Sequence, residues 1–387
     1  MPPRDMLRIN CPILNMMSDP MAEIGPNTRL RVSPFYEATL EEGVRAFSPY
    51  NRMLMPVSYG NPDEEYDRLL NGVAQWDVGV ERQVEIKGPD AARLVQILCV
   101  RDLSKIEVGK GKYVPMCDHR GVLINDPVVL KLADNHFWIS IADNTILLWA
   151  RAIAAERGLV AEISEPDVSP LAIQGPKAED VVAAIFGDWI RELKYFWFAD
   201  AEINGIPLKI QRSGYSKQGG FELYLMDGSR GSDLWKIVRE AGKPWDIGPG
   251  NPNPAERIES GLLSFGGDTD DQSDPFEARL GKYVDLYLPD EVIGIKALRD
   301  LVERGVPRAL MGVVLDDQPQ QPGHQIWYDV YQGDQKIGSM TNGAWSPRLK
   351  TMIGFVLVPN GTPVGERVTV LRHGTHDAGT ICELPFF

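Results

Sequence analysis

The sequence predicts an α+β protein with mostly antiparallel sheets and an all-β C-terminal part. Three observations predict it. The 387 residues suffice for two or three domains at ~150 residues each. Helix-like and strand-like stretches both occur, but no strand–helix–strand alternation persists that would build a parallel sheet. Over the last ~80 residues, short β-rich runs recur at regular spacing between Gly, Asp and Asn turns, the pattern of a small barrel or jelly-roll.

Residues 1–30 carry Pro, Met and Asn without periodicity and read as an extended arm. Residues 62–75, "PDEEYDRLLNGVAQ", space Tyr66, Leu69, Leu70 and Val73 as one helix face, with acids at the start where the helix dipole favours them. "QVEIKGPDAARLVQILCV" reads as a strand, a Gly-Pro turn and a helix beginning near Asp90. "YVPMCDHRGVLINDPVVLKLADNHFWISIAD" is an antiparallel meander with turns at 118–121 and 133–136. Helices are expected in "KAEDVVAAIFGDWIRELKY", "SDLWKIVREAG", "PAERIESGLLSF" and "KALRDLVERG", with residues 288–301 as a connector. "AEINGIPLKIQRSGYSKQGGFELYLM" is a hairpin, with Asn204-Gly205 as a strong turn signal.

Composition narrows function. Hydrophobic residues make 43% and charged residues 24%, so a packed core is expected. A net charge of −14 repels phosphate backbones and argues against nucleic acid. No apolar run is long enough for a signal-peptide core or a membrane span, and a cytoplasmic location is expected. Cys11, Cys99, Cys117 and Cys382 form no metal or disulfide pattern. Of the histidines, only His373 and His376 lie close together, so no metal is expected. The phosphate-binding G-x-x-x-x-G-K-[ST] and the G-x-S-x-G nucleophile elbow are absent. An enzyme with this sequence works mainly by positioning its reactants.

Four segments taken in order, "YNRMLMP" (50–56), "WDVGVERQVEIKGPDA" (76–91), "GVLINDPVVLKL" (121–132) and "RSGYSKQGGFELY" (212–224), resemble the folate-dependent aminomethyltransferase superfamily of the glycine-cleavage T-protein. Within it, "DVSPLAIQGP" (167–176), "ERIESGLLSFGGD" (256–268) and the C-terminal "ICELPF" look closest to the dimethylsulfoniopropionate demethylase branch. The resemblance implies three domains around a central channel that holds tetrahydrofolate, the methyl acceptor. Domain 1, which binds folate, is discontinuous, 31–75 plus 165–275; domain 2 is an α+β insertion, 76–164; domain 3 is a C-terminal β-barrel, 290–387. It also implies transfer of a methyl group from a sulfonium to N5 of tetrahydrofolate, with methylmercaptopropionate as the other product. The alternative within the family is another N-, O- or S-methyl donor, or the aminomethyl arm of glycine cleavage. That last reaction requires a lipoylated carrier protein, and the branch motifs argue against such a partner. A non-catalytic folate binder would carry K-G-C-Y-x-G-Q, which this sequence lacks.

By this resemblance Glu222 binds the cofactor. Its carboxylate can accept the pterin N3–H and 2-amino group together, as a charge-assisted pair. Without the motif, Glu222 is simply a solvated strand residue. Asp126 is the catalytic candidate, beside the reacting nitrogen, where a carboxylate stabilises the transient cation or takes its proton. The alternative is a turn Asp, since Asp126 precedes a proline. Tyr113 and Tyr215 are expected to contact the cofactor. Trp197, Tyr224 and Arg52 are expected at the methyl donor, the aromatics through cation–π attraction for a sulfonium and Arg52 through the donor's carboxylate. Lys217 is a weaker candidate for a carboxylate. The branch pattern has His where this chain has Arg52, and Trp where it has Tyr215; the T-protein also has Tyr at the latter position.

Overall fold

The computed structural model describes residues 28–316, 327–372 and 374–387. The arm expected over 1–30 lies outside the described residues up to position 27, as do Cys11, His324 and His373.

Two antiparallel-rich sheets and a closed barrel make up the fold. The six-stranded sheet runs, edge to edge, Phe198–Ile203, Ile206–Gln211, Gly220–Leu225, Ser169–Gln174, Ala74–Asp77 and Gly248–Gly250; only its last pair is parallel. The five-stranded sheet runs Glu162–Ser164, Gln83–Lys87, His136–Ser140, Val128–Ala133 and Lys110–Tyr113, antiparallel throughout. The chain enters the first sheet at Ala74, leaves it to build the second, and returns at Ser169. Six strands between Arg308 and Cys382 close the C-terminal barrel.

Strand alternation decides which side of each sheet is dry. Leu171, Ile173, Leu208, Ile210, Phe221, Leu223 and Leu225 pack on the helices Ala178–Phe186 and Gly231–Ala241. Glu222, Tyr224, Lys209 and Gln211 therefore project from the opposite face. In the second sheet, Val84, Ile86, Val129, Phe137 and Ile139 pack on the helices Ala91–Leu98 and Ile146–Arg157. This leaves Leu130 and Trp138 on the other face, where they meet Phe198 and Tyr224 of the first sheet and Val168 just before it. Each fully buried Leu or Phe contributes about 1.5–3 kcal/mol relative to exposure, so these helix-covered faces fix the register of the polar ones.

The barrel is fastened by a buried carboxylate. Glu259, fully buried on the short helix Pro254–Glu259, accepts from Ser346 Oγ (2.6 Å), Arg348 Nε (2.8 Å) and Tyr66 Oη (2.8 Å). One side chain thus joins the barrel to the helix Pro62–Asn71.

Several expected boundaries shift. The helix expected over 62–75 ends at Asn71, because Gly72 leaves the helical region and Ala74 starts a strand. "KAEDVVAAIFGDWIRELKY" divides at Gly187 (φ 94°) into the helix Ala178–Phe186 and a 3₁₀ turn, Asp188–Glu192. "PAERIESGLLSF" is helical only over Pro254–Glu259, since Gly261 turns back with φ 69°. The expected connector 288–301 overlaps the helix Ile295–Arg304. The helices Tyr36–Glu41 and Ile146–Arg157 add to the expected set. The Asn204-Gly205 turn takes two left-handed residues (φ 51° and 74°), as a tight hairpin requires.

Candidate active site

Glu222 and Tyr224 on the polar face of the first sheet, Tyr113 at the end of the second, and the connecting-segment residues Glu81 and Asp126 form one electrostatically linked cluster of carboxyls and phenols. Glu222 sits mid-strand, 8% exposed, opposite Gln211 and Ala172. Its Oε2 accepts from Ser213 Oγ (2.5 Å) and lies 3.2 Å from Tyr224 Oη, which also reaches Gln211 Oε1 at 3.0 Å. Among the described residues, Glu222 Oε1 has no hydrogen-bond partner. Burial raises the Glu222 carboxyl, and its two hydroxyl neighbours pull it back.

Asp126 follows the strand Leu123–Asn125. The fully buried Asn125 fixes this loop, donating to Ala142 O (3.1 Å) and accepting from Ala142 N (3.0 Å). Tyr113, at the end of the edge strand, donates to Asp126 Oδ2 at 2.9 Å. Burial pushes the Asp126 carboxyl up to about 7, with a smaller push from Asp268, while the Tyr113 hydrogen bond holds it down. Tyr113 also packs edge-on against Tyr283, 5.1 Å between centroids.

Tyr215 belongs to the hairpin loop after Gly214. A Cβ at Gly214 (φ 147°) would collide with the Gln174 amide, so only glycine lets the loop pass there. Tyr215 Oη donates to Leu263 O (2.6 Å) and faces the guanidinium of Arg257. Arg257 is ion-paired with Asp268 at 2.7 Å, and the pair is almost wholly buried.

Sequence reasoning missed two further members. Glu81 has neither a side-chain hydrogen bond nor an ion pair among the described residues. Burial, then Glu222 and Asp126, push its carboxyl well above the usual range. Burial, then Glu81 and Asp126, likewise raise the Tyr50 phenol. Both lie in segments that carried the family resemblance, but nothing in their spacing tells which side chains turn inward.

The remaining candidates fall elsewhere. Of the aromatic run 195–198, Tyr195 is the ring in electrostatic reach of Glu222 and Tyr283. Trp197 instead lies under the Lys110 ammonium, 5.1 Å from its centroid. Arg52 is exposed on the hairpin turn that follows Tyr50 and lines a separate cleft. The Lys217 backbone N–H donates to Glu256 Oε1 at 3.0 Å.

Two antiparallel-rich sheets followed by a closed C-terminal barrel are also the architecture of the family that the comparisons identify. The GCVT N-terminal domain model matches residues 35–287, and the glycine cleavage T-protein C-terminal barrel domain model matches 308–387. The chain belongs to this glycine-cleavage T-protein family, and it is a tetrahydrofolate-dependent methyl-transfer enzyme. It is 37% identical over 365 residues to the dimethylsulfoniopropionate demethylase of Ruegeria pomeroyi, covering 92% of this chain and 99% of that one. The aminomethyltransferase of Symbiobacterium thermophilum is 31% identical, over 93% of this chain and 98% of its own. The glycine cleavage system aminomethyltransferase T of Bartonella henselae shares the fold, with TM-score 0.80 at 22% identity over 92% of this chain and 98% of that chain.

Proposed function

We propose that the enzyme moves a methyl group from the sulfonium of dimethylsulfoniopropionate to N5 of tetrahydrofolate. The products are methylmercaptopropionate and 5-methyltetrahydrofolate. The observation that carries this reading is the buried, tyrosine-rich site in which the carboxyls of Glu81, Asp126 and Glu222 lie within electrostatic reach of one another, raised by burial and available to be ionised by a bound cation. A fixed cation is the ligand such a site favours, through the carboxylates and the tyrosine faces. Near-full-length identity to a sulfonium demethylase supports the same donor.

Glu222 holds the pterin edge, with Tyr113 and Tyr215 as further cofactor contacts. Ser213 and Tyr224 hold Oε2 in place, so the carboxylate is oriented before the ligand arrives. The N5 lone pair attacks the methyl carbon as the carbon–sulfur bond breaks. The bonding pair leaves on sulfur, which becomes a neutral thioether and needs no general acid. N5 is left cationic, carrying both the methyl group and its original proton. Asp126, in its ionised form, takes that proton. Tyr224 and Trp197 are assigned to the donor sulfonium, and Tyr195, in electrostatic reach of Glu222, is a further candidate. The reading needs no lipoylated carrier. It keeps the enzyme in the cytoplasm, where unpaired cysteines such as Cys99 and Cys117 stay reduced.

Glu222→Ala should weaken tetrahydrofolate binding by ~1–3 kcal/mol, the loss of charged hydrogen bonds. Titration calorimetry that returns the wild-type affinity removes Glu222 from the pterin site. A second reading keeps the acceptor and changes the donor, favoured by Tyr215 in place of the Trp of the demethylases. The two readings are separated by anaerobic incubation with tetrahydrofolate and a panel of sulfonium, N-methyl amine and aryl methyl ether donors. The sulfonium alone should yield 5-methyltetrahydrofolate; product from another class alone selects the second reading.

A further inference from the structure

Beyond Tyr50, Arg52 and Arg82 face a cleft of about 390 Å³ whose lining contains none of Glu81, Asp126 or Glu222. Arg82 is ion-paired with Glu165, which also binds Arg31 at 2.9 Å, yet its Nε is buried without a partner. Burial, then Arg31 and Arg52, pull the Arg82 guanidinium down to about 10. The Arg52 guanidinium has no ion pair or hydrogen bond among the described residues; its backbone carbonyl accepts from Arg31 N at 2.8 Å. Arg52 occupies the second position of the turn between the strands Ala46–Tyr50 and Met53–Ser58, with φ 60° after Asn51 at 49°. Such a turn prefers Asn-Gly, so a bulky arginine there bears strain that glycine would relieve. Of the two acids on the cleft, Glu165 spans two arginines, while Asp143 accepts from Asn51 N at 2.7 Å through Oδ1 and has no ion pair among the described residues. The rest of the wall sets polar Gln83, Asn144 and Thr145 beside an apolar side made of Val84, Ile141, Ile146, Leu147 and Leu148. The last three open the helix Ile146–Arg157, which has no side-chain cap and no acid in its first turn.

We propose that this cleft is a second binding site, for a monocarboxylate on a short apolar chain. A guanidinium fork matches a carboxylate in two parallel hydrogen bonds, and the unpaired Arg52 guanidinium is the fork left open for it, with the Arg82 guanidinium beside it on the cleft wall. The uncapped helix start adds to the attraction for negative charge. The apolar wall suits a carbon chain and disfavours a fully hydrated inorganic ion. The same chemistry comes from two sources: a sulfur-containing propionate such as the proposed thioether product, or an unrelated short fatty acid.

The test is titration calorimetry of the full chain with methylmercaptopropionate, butyrate and inorganic phosphate. Arg52→Gly is the decisive variant, because glycine fits the turn and keeps the fold. One-site binding of either carboxylate, weakened at least tenfold by Arg52→Gly and kept in Glu222→Ala, supports the site. The relative affinities of the thioether acid and butyrate then identify the source. Absence of carboxylate binding at millimolar concentration overturns the proposal. So does equal affinity in Arg52→Gly, loss in Glu222→Ala, or phosphate binding as tightly as the carboxylates.

Discussion

Asp126→Asn should lower methyl transfer by ~10²–10⁴-fold, the usual contribution of a positioned acid–base group. The amide keeps the size and can still meet Tyr113, but it cannot accept the N5 proton. Tetrahydrofolate affinity should stay near wild type, because the pterin is held at Glu222. The pH profile carries a second signature. The wild-type carboxyl stands at about 7, so its ionised, proton-accepting form grows as pH rises through that value. Activity should therefore climb on an acidic limb centred near 7, and Asp126→Asn should abolish that limb. The same shift has a stability sign. A carboxyl raised from 3.8 to about 7 on folding favours the native state below about 4, and that advantage is lost as pH rises through 7. An Asp126→Asn enzyme with unchanged rate and limb would leave the residue a turn former only.

The second large effect lies behind Tyr215. Arg257→Met should cost about 3–5 kcal/mol, the usual result of stripping one partner from a buried ion pair. Asp268 would keep its hydrogen bond from Ser264 N (2.8 Å) but lose the guanidinium that balances its charge. Its other oxygen, Oδ1, is already buried without a partner. The thermal midpoint should fall clearly, and the double change Arg257→Met with Asp268→Leu should recover most of the loss. There is also a site readout. Asp268 already pushes the Asp126 carboxyl up, so removing its counter-ion should move the acidic limb of activity to higher pH. An unaltered midpoint would show that water reaches Asp268 and that the pair is not buried in solution.

The sequence shows most clearly what local chemistry controls. Asn204-Gly205 sets its hairpin, and the evenly spaced strands after Arg308 close the barrel, because both signals sit in short stretches. Helix ends were harder to place where glycines intervene, as at Gly187 and Gly261. The helix "ILLWARAIAAER" escaped notice because its alanines and apolar residues go nearly all the way round, leaving no polar stripe to mark the period. The site was legible at Glu222, Tyr113 and Asp126 through motif resemblance, and the structure brings Tyr113 and Asp126 into direct contact. Glu81 and Tyr50 were hidden, since their direction depends on how the two sheets face each other. The directions of Tyr195 and Trp197 were hidden for a related reason. Phe196 takes a left-handed turn (φ 63°), which reorients the ring before it relative to the ring after it.

On the proposed reading, a methyl group passes between two small molecules beside Glu81, Asp126 and Glu222. The most direct test uses dimethylsulfoniopropionate carrying deuterated S-methyl groups, incubated anaerobically with tetrahydrofolate and the purified enzyme. Mass spectrometry should find 5-methyltetrahydrofolate carrying three deuterons, equimolar with methylmercaptopropionate. Unlabelled folate beside intact donor, in a protein that tetrahydrofolate still stabilises against heat, would contradict the assigned donor.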